Sequence, residues 1–149
     1  MDDERYAWSA AFISYVMRVA GAGDRFPYAP NHAAYVNAAA AGRSSILVAH
    51  APQAYAPKLG DLLCLGREWA AHLRFSDLPT NGYWPGHCAI VVARQDNTLS
   101  AVGGNEEDAV TMDHVAIARD GALSGVRYPT EWPIVIEVRY DAETDPDRG

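Results

Sequence analysis

Five apolar runs with the length and composition of β-strands dominate the chain after residue 60. The runs are LLCLG, HCAIVVA, TLSAVGG, AVTMDHVAI and PIVIEVRY, and short polar loops such as QDN and NEED separate some of them. Runs of this kind predict strands, and strands joined by short loops pair in antiparallel fashion. Because the helical patterns all come earlier, the order predicts an α+β fold with one antiparallel sheet of about five strands.

Two helices are predicted before the strands. The segment from Tyr6 to Gly23, YAWSAAFISYVMRVAGAG, spaces its apolar residues at helical intervals and ends in glycine. The segment HAAYVNAAAAG predicts a short second helix that ends at Gly42. The following run, SSILVAHAP, fits either a strand or irregular structure. We expect one domain, residues 1–140, and a disordered tail, residues 141–149.

The net charge of the chain argues against a nucleic-acid partner. The 149 residues carry a formal charge of -7 at pH 7, whereas phosphate binding needs a basic face.

The one long apolar stretch is interrupted by Ser9, Ser14 and Arg18, so no membrane span is expected. The first residues, MDDERYAW, are acidic where a signal peptide would be basic. We expect a periplasmic or extracytoplasmic location if an upstream signal is missing from this chain, and otherwise a cytoplasmic location before export.

Neither the cysteines nor the histidines suggest a metal site. Cys64 and Cys88 each lie in an apolar run without a CxxC spacing, so we expect two buried, reduced thiols. The five histidines show no HxxxH or HxH spacing, which argues against zinc. We therefore expect no metal and no cofactor.

The hairpin HCAIVVARQDNTLSAVGGN predicts a partner for one histidine. A three-residue loop, QDN, is a common hairpin connection, and the register that it sets places His87 opposite Asn105. The asparagine side chain can then hold the imidazole through a hydrogen bond. A two-residue turn would instead place Glu106 opposite His87, and a four-residue loop would place Gly104 there. By alternation, Cys88 faces away from His87 and is assigned to the core.

Three segments together resemble a group of bacterial cell-wall enzymes. WSAAFISYV, GDLLCLGR…GHCAIVV and AVGGNEEDAV are similar in order and spacing to segments of the CHAP and NlpC-type cysteine amidases and peptidases, whose first motif usually reads like WCAAF. The chain resembles in particular the bacterial domain-of-unknown-function family 2272, in which we expect serine in WSAAF. The resemblance spans about Trp8 to Val138. It implies a papain-like hydrolase-type domain in which N-terminal helices pack on the sheet.

The resemblance also implies a catalytic set. By position, Ser9 stands where the cysteine nucleophile of those enzymes stands, His87 stands at the base and Asn105 at the orienting residue. A helix N-terminus and a histidine can stabilise a thiolate, but a serine hydroxyl has too high a pKa for that. Ser9 would therefore need His87 as a general base and donors for the oxyanion. The implied activity is hydrolysis of an amide bond of peptidoglycan without a cofactor.

Four further residues are predicted to contact a peptidoglycan or peptide substrate. His32 follows a proline-rich loop, Arg67 can pair with a substrate carboxylate, and Tyr83 and Trp84 can stack on a sugar or a peptide. Each also has a structural explanation, namely a helix start, a local ion pair, or core packing.

Other functions fit the same residues. Ser9 is a favoured residue at a helix start, and Asn105, after two glycines, is a favoured turn residue. The sequence therefore also describes a non-catalytic cell-wall or peptide-binding module that has lost the cysteine nucleophile, or an antibacterial toxin of the same fold delivered into competitors. Asp61, in LGDLL, is predicted to bond its local backbone and not to act as an acid catalyst.

Overall fold

The described fold is one antiparallel sheet with a helix on one face. The computed structural model describes residues 32–44, 46–80, 82–104, 110–123 and 132–139. In these ranges one α-helix precedes six strands, which confirms the predicted α+β class with a single antiparallel sheet. The sheet has six strands and not about five, because part of SSILVAHAP is also a strand. The predicted helix from Tyr6 to Gly23 lies outside the described residues, so the described part of the chain has one of the two predicted helices.

The strands lie in the sheet in an order that differs from their order along the chain. Helix α1 spans His32–Ala40. The strands are β1 (Leu47–His50), β2 (Leu62–Gly66), β3 (Gly86–Gln95), β4 (Thr98–Gly104), β5 (Val110–Ala116) and β6 (Ile134–Val138). Across the sheet the order is β1-β6-β2-β3-β4-β5. The last strand therefore lies between the first two, so the centre of the sheet depends on contacts between distant parts of the sequence.

Helix α1 ends where its sequence predicts. Gly42 has a φ of 74°, in the left-handed region that glycine occupies without steric cost. The amide of Gly42 donates to the carbonyl of Ala39, and the amide of Arg43 donates to the carbonyl of Ala38. These two bonds form a Schellman motif, a common way to end a helix.

Both faces of the sheet are buried. On the face that carries helix α1, called here the helix face, Tyr35 and Val36 pack against alternate residues of the central strands. Those strand residues are Leu62, Cys64, Cys88, Ile90, Ile134 and Ile136. The other face is called here the opposite face, and it buries the intervening residues Leu63, Ala89, Val91, Leu99, Ala101, Val115 and Val135, together with Trp132.

A disulfide bond joins Cys64 and Cys88, so the prediction of two reduced thiols is wrong. The two cysteines are direct cross-strand partners in the antiparallel pair β2–β3. Partners of this kind project from the same face of the sheet with their Cβ atoms close together, which brings the two sulfur atoms within bonding reach. The loop of residues 67–85 separates the two strands and conceals the pairing in the sequence.

The disulfide predicts a thiol count and a redox-dependent stability. We expect no free thiol in the denatured, unreduced protein and two after reduction. The cysteines are 24 residues apart, and closing a loop of that size stabilises a fold by about 3 kcal/mol in the chain-entropy treatment. A Cys64→Ala/Cys88→Ala variant should lose about this much unfolding free energy in urea.

Reductant provides the matched control for this prediction. It should lower the urea midpoint of the wild-type protein and leave the midpoint of the double variant unchanged. A wild-type midpoint that is indifferent to reductant would contradict the contribution assigned to the disulfide.

Candidate functional site

His87 is the one member of the predicted catalytic set that the described structure contains. Ser9 and Asn105 lie outside the described residues, so the predicted approach of Ser9 to the imidazole stays a prediction. His87 is the second residue of β3 and only 6% exposed. Its ring centroid lies 6.1 Å from that of Trp132, which belongs to the opposite face. Its neighbour Cys88 lies in the core of the helix face, as the alternation predicts.

A glycine of β4 provides the space for the imidazole. A Cβ atom on Gly103 would lie 3.2 Å from both Cε1 and Nε2 of His87, a distance tighter than ordinary van der Waals contact. The imidazole therefore lies against the backbone of β4. The first glycine of AVGGN thus has a packing role, and a larger residue there would displace the ring.

The turn of the β3–β4 hairpin differs from the predicted one. Gln95 pairs with Thr98, so the turn has two residues, Asp96 and Asn97. Asp96 adopts the left-handed conformation, with a φ of 56°. A two-residue turn alone would place Glu106 opposite His87.

A β-bulge restores the predicted register near His87. The pairing shifts between Val91 and Ala93, and beyond the shift Ile90 pairs with Val102. A bulge inserts one unpaired residue on one strand, which compensates here for the shorter turn. Continued without change, the register brings position 105 opposite His87. The predicted side-chain hydrogen bond from Asn105 lies outside the described residues and stays a prediction.

The imidazole of His87 is neutral near pH 7. Burial, and to a smaller extent the positive charge of Arg67, lower the pKa of His87 from 6.5 to about 3. Arg67 follows β2 directly, and its backbone amide donates to the carbonyl of Pro85 across the end of the β2–β3 pair. A neutral imidazole has one nitrogen that can accept a proton, as a general base must.

The predicted binding residues Arg67, Tyr83 and Trp84 belong to the loop of residues 67–85. Tyr83 is 52% exposed, whereas Trp84 is 1% exposed and packs in the core of the helix face. Trp84 is therefore a core residue of the helix face and not a free ring at the surface, whereas the ring of His87 lies near Trp132 on the opposite face. His32 begins helix α1, and the contact predicted between its side chain and a substrate is untested.

The same loop forms a groove of about 560 Å³, which sequence reasoning did not predict. We call it the aromatic groove and define it by Trp69, His72, Asp77, Thr80, Tyr83 and Trp84. Trp69 is 71% exposed and lies in the 3-10 helix Glu68–Ala70. In the sequence, the tryptophan in GREWAAHL indicates such a groove, but a tryptophan in this pattern is equally typical of a core residue of a short helix.

Paired glycines allow this loop to fold back on the end of the sheet. Gly66 and Gly86 are cross-strand partners. A Cβ atom on Gly66 would overlap the carbonyl group of Ala70, and one on Gly86 would lie 2.5 Å from Cζ3 of Trp84. Each glycine therefore admits a close approach that any other residue would prevent.

Asn37 of helix α1 fixes the far end of the loop. Its Nδ2 donates to Oγ1 of Thr80 at 3.0 Å and to the carbonyl of Gly82 at 3.2 Å, and its Oδ1 accepts from the amide of Thr80 at 3.0 Å. Asn37 is buried, so these bonds satisfy an amide that would otherwise be costly to bury. In the sequence, the one indication of this role is that Asn37 is a polar residue within the apolar run HAAYVNAAA.

The described residues show no arrangement for a metal ion. No group of three His, Cys, Asp or Glu side chains within them is placed to hold one. In the same part of the chain, no helix has the length and apolar character needed to cross a membrane.

The fold and the site define a single-sheet α+β protein with a buried, neutral histidine at the start of a central strand. The model of the family described as an uncharacterized protein conserved in bacteria (DUF2272) matches residues 1–141, and the chain belongs to this family. The predicted membership is thereby confirmed, whereas the resemblance to CHAP and NlpC-type enzymes stays a prediction. No curated protein and no solved structure gives a significant match.

Proposed function

We propose that the chain is a papain-like cell-wall amidase or peptidase that hydrolyses an amide bond of peptidoglycan. The observation that carries the proposal is His87, a buried and neutral imidazole beside a strand whose pairing at Ile90 and Val102 has the predicted register. The order of the WSAAF, GHCAIVV and AVGGN motifs supports the same assignment.

In the proposed reaction, Ser9 attacks the amide carbonyl while its proton passes to His87. The imidazolium then gives that proton to the leaving amine as the carbon–nitrogen bond breaks. Water hydrolyses the resulting ester of Ser9, with His87 again accepting and returning a proton. Asn105 would hold the imidazole in the orientation that these transfers need.

The proposed location is periplasmic or extracytoplasmic. The disulfide between Cys64 and Cys88 supports it, because such bonds form and persist in oxidising compartments and are rare in the bacterial cytoplasm. Peptidoglycan lies in the same compartment.

Ser9→Ala and His87→Ala should each abolish release of new amino termini from purified peptidoglycan, because nucleophile and base act as one unit. His114→Ala is the matched control, since His114 is an exposed histidine on β5 and its loss should leave turnover unchanged. Circular dichroism should show folded protein in all three variants. Full activity of Ser9→Ala would rule out the proposed nucleophile.

A second candidate function is a binding module without turnover. The low pKa of His87, about 3, favours it, because a general base works best with a pKa near the working pH. Ser9→Cys separates the two functions, since a thiol is the stronger nucleophile. If only Ser9→Cys cleaves peptidoglycan, the native chain is a binding module. The same holds if neither Ser9→Cys nor the native protein cleaves peptidoglycan but both still bind it.

A further inference from the structure

We infer that the aromatic groove binds a saccharide, namely the glycan strand of the substrate, with Trp69 as the main stacking surface. The inference rests on the proposed function for the identity of the saccharide. The groove itself consists of described residues and includes none of the three residues assigned to catalysis.

Two exposed aromatic rings give the groove its chemical character. Trp69 is 71% exposed and Tyr83 is 52% exposed, and both line the same groove. Large aromatic side chains bury far more apolar area than most others, so leaving two of them in water beside one cavity indicates a surface that a ligand covers. A pyranose ring offers a flat face of C–H groups that matches an aromatic face.

Polar groups around these rings match the hydroxyl edge of a sugar. Asp77, Thr80 and His72 line the groove together with Trp69 and Tyr83. One carboxylate oxygen of Asp77 accepts from the amide of Arg74, and a carboxylate can accept further bonds from hydroxyl groups. This mixture of flat apolar faces and hydrogen-bonding groups suits a saccharide better than an aliphatic ligand.

The groove is also preformed. Its volume of about 560 Å³ falls in the range of small-molecule sites. Asn37 bonds Thr80 and Gly82 at one end of the loop, and at the other end the amide of Ala70, next to Trp69, donates to the carbonyl of Arg67 at 2.8 Å. A loop held at both ends loses little conformational entropy when a ligand binds.

The test is titration of the full chain with a soluble β-1,4-linked tetramer of N-acetylglucosamine, followed by tryptophan fluorescence and calorimetry. We expect saturable binding in the wild-type protein and an affinity at least about tenfold lower in Trp69→Ala, since aromatic anchors dominate such contacts. Tyr83→Ala should weaken binding less, because more of its surface is already buried. Met112→Ala is the matched control, because Met112 is an exposed apolar residue on β5, and its affinity should equal that of the wild-type protein.

Three outcomes would overturn the inference. The first two are the absence of saturable binding and an affinity of Trp69→Ala equal to that of the wild-type protein. The third is a competition in which an unlinked stem peptide displaces the bound tetramer at a lower concentration than added free tetramer does. The last outcome would assign the groove to peptide. Binding of the tetramer depends on no catalytic residue. Binding that is lost in Trp69→Ala, in a protein that does not cleave peptidoglycan, would therefore uphold the groove while rejecting the hydrolase.

Discussion

Asp61→Ala is expected to lower the free energy of unfolding by about 4 kcal/mol, a magnitude typical of breaking a buried, charged hydrogen-bond network. Asp61 immediately precedes β2, and its side chain is fully buried. Urea denaturation followed by intrinsic fluorescence measures the loss.

The size of the effect follows from what the carboxylate of Asp61 holds together. Its Oδ2 accepts from the hydroxyl of Tyr55 at 2.7 Å and from the amide of Lys58 at 2.9 Å. Its Oδ1 accepts from the amide of Val138 at 2.9 Å and from Nζ of Lys58 at 3.0 Å. Removing the carboxylate would leave these donors without their acceptor, including the amide at the end of β6. The predicted bond to the local backbone is confirmed, but the link to β6 goes well beyond it.

Tyr55 is a protonated donor to this carboxylate. Burial, followed by the hydrogen bond to Asp61, raises the pKa of Tyr55 above its ordinary value of 10.0. The phenol therefore stays a donor at neutral pH and in moderate alkali. Asp61→Asn should cost less than Asp61→Ala, because one oxygen acceptor is retained while the amide nitrogen faces other donors.

Asp120→Ala is the control for Asp61→Ala. Asp120 is exposed, and its Oδ1 accepts from the nearby amide of Ala122, so its loss should cost at most about 1 kcal/mol. If Asp61→Ala were no less stable than Asp120→Ala, the network around Asp61 would have no role in stability.

The strands that the sequence predicts well are those that form local hairpins. β3, β4 and β5 follow one another along the chain and pair in that order, so their apolar runs and short loops contain the information needed. β6 instead pairs with β1 and β2. Both strands are far from β6 along the chain, so no short stretch of sequence indicates these pairings. The disulfide was missed for the same reason, since its strands are separated by the loop of residues 67–85.

The pairing of Ile90 with Val102 shows how a correct residue pairing can follow from an incorrect turn. The QDN sequence permits both a two-residue turn and a three-residue loop, and the bulge between Val91 and Ala93 costs only a local break in the ladder. Nothing in VVAR indicates which residue bulges. The prediction succeeded as far as Ile90 and Val102 because burial of alternate residues fixes the register there.

The groove could not be predicted from the sequence, because it depends on how closely the loop of residues 67–85 approaches the end of the sheet. Tyr83 was predicted from its position near His87, but Trp69 becomes its neighbour only because glycines at positions 66 and 86 allow the loop to fold back. A glycine in a strand signals a close approach but does not identify what approaches. Asn37 is a similar case, since its three bonds join segments more than 40 residues apart.

Acid is expected to destabilise the protein through His87 well above the pH at which carboxylates titrate. In the unfolded chain this imidazole binds a proton below pH 6.5, whereas in the folded protein burial and Arg67 keep its pKa at about 3. Between these values the unfolded state holds more protons, so stability falls as pH falls. His87 alone should remove about 3 kcal/mol between pH 7 and pH 4, and on the order of 5 kcal/mol once both states are protonated.

His87→Leu isolates this contribution, because leucine fills much of the same space and does not titrate. Urea midpoints at pH 7, 6, 5 and 4 should fall less steeply for His87→Leu than for the wild-type protein. His114→Leu, at an exposed histidine of β5, should keep the wild-type slope. Parallel curves for His87→Leu and the wild-type protein would show that His87 titrates with the same pKa in the folded and unfolded states, so that burial does not lower it. A buried imidazole that stays neutral in mild acid, which is the feature assigned here to the proposed site, would then be ruled out.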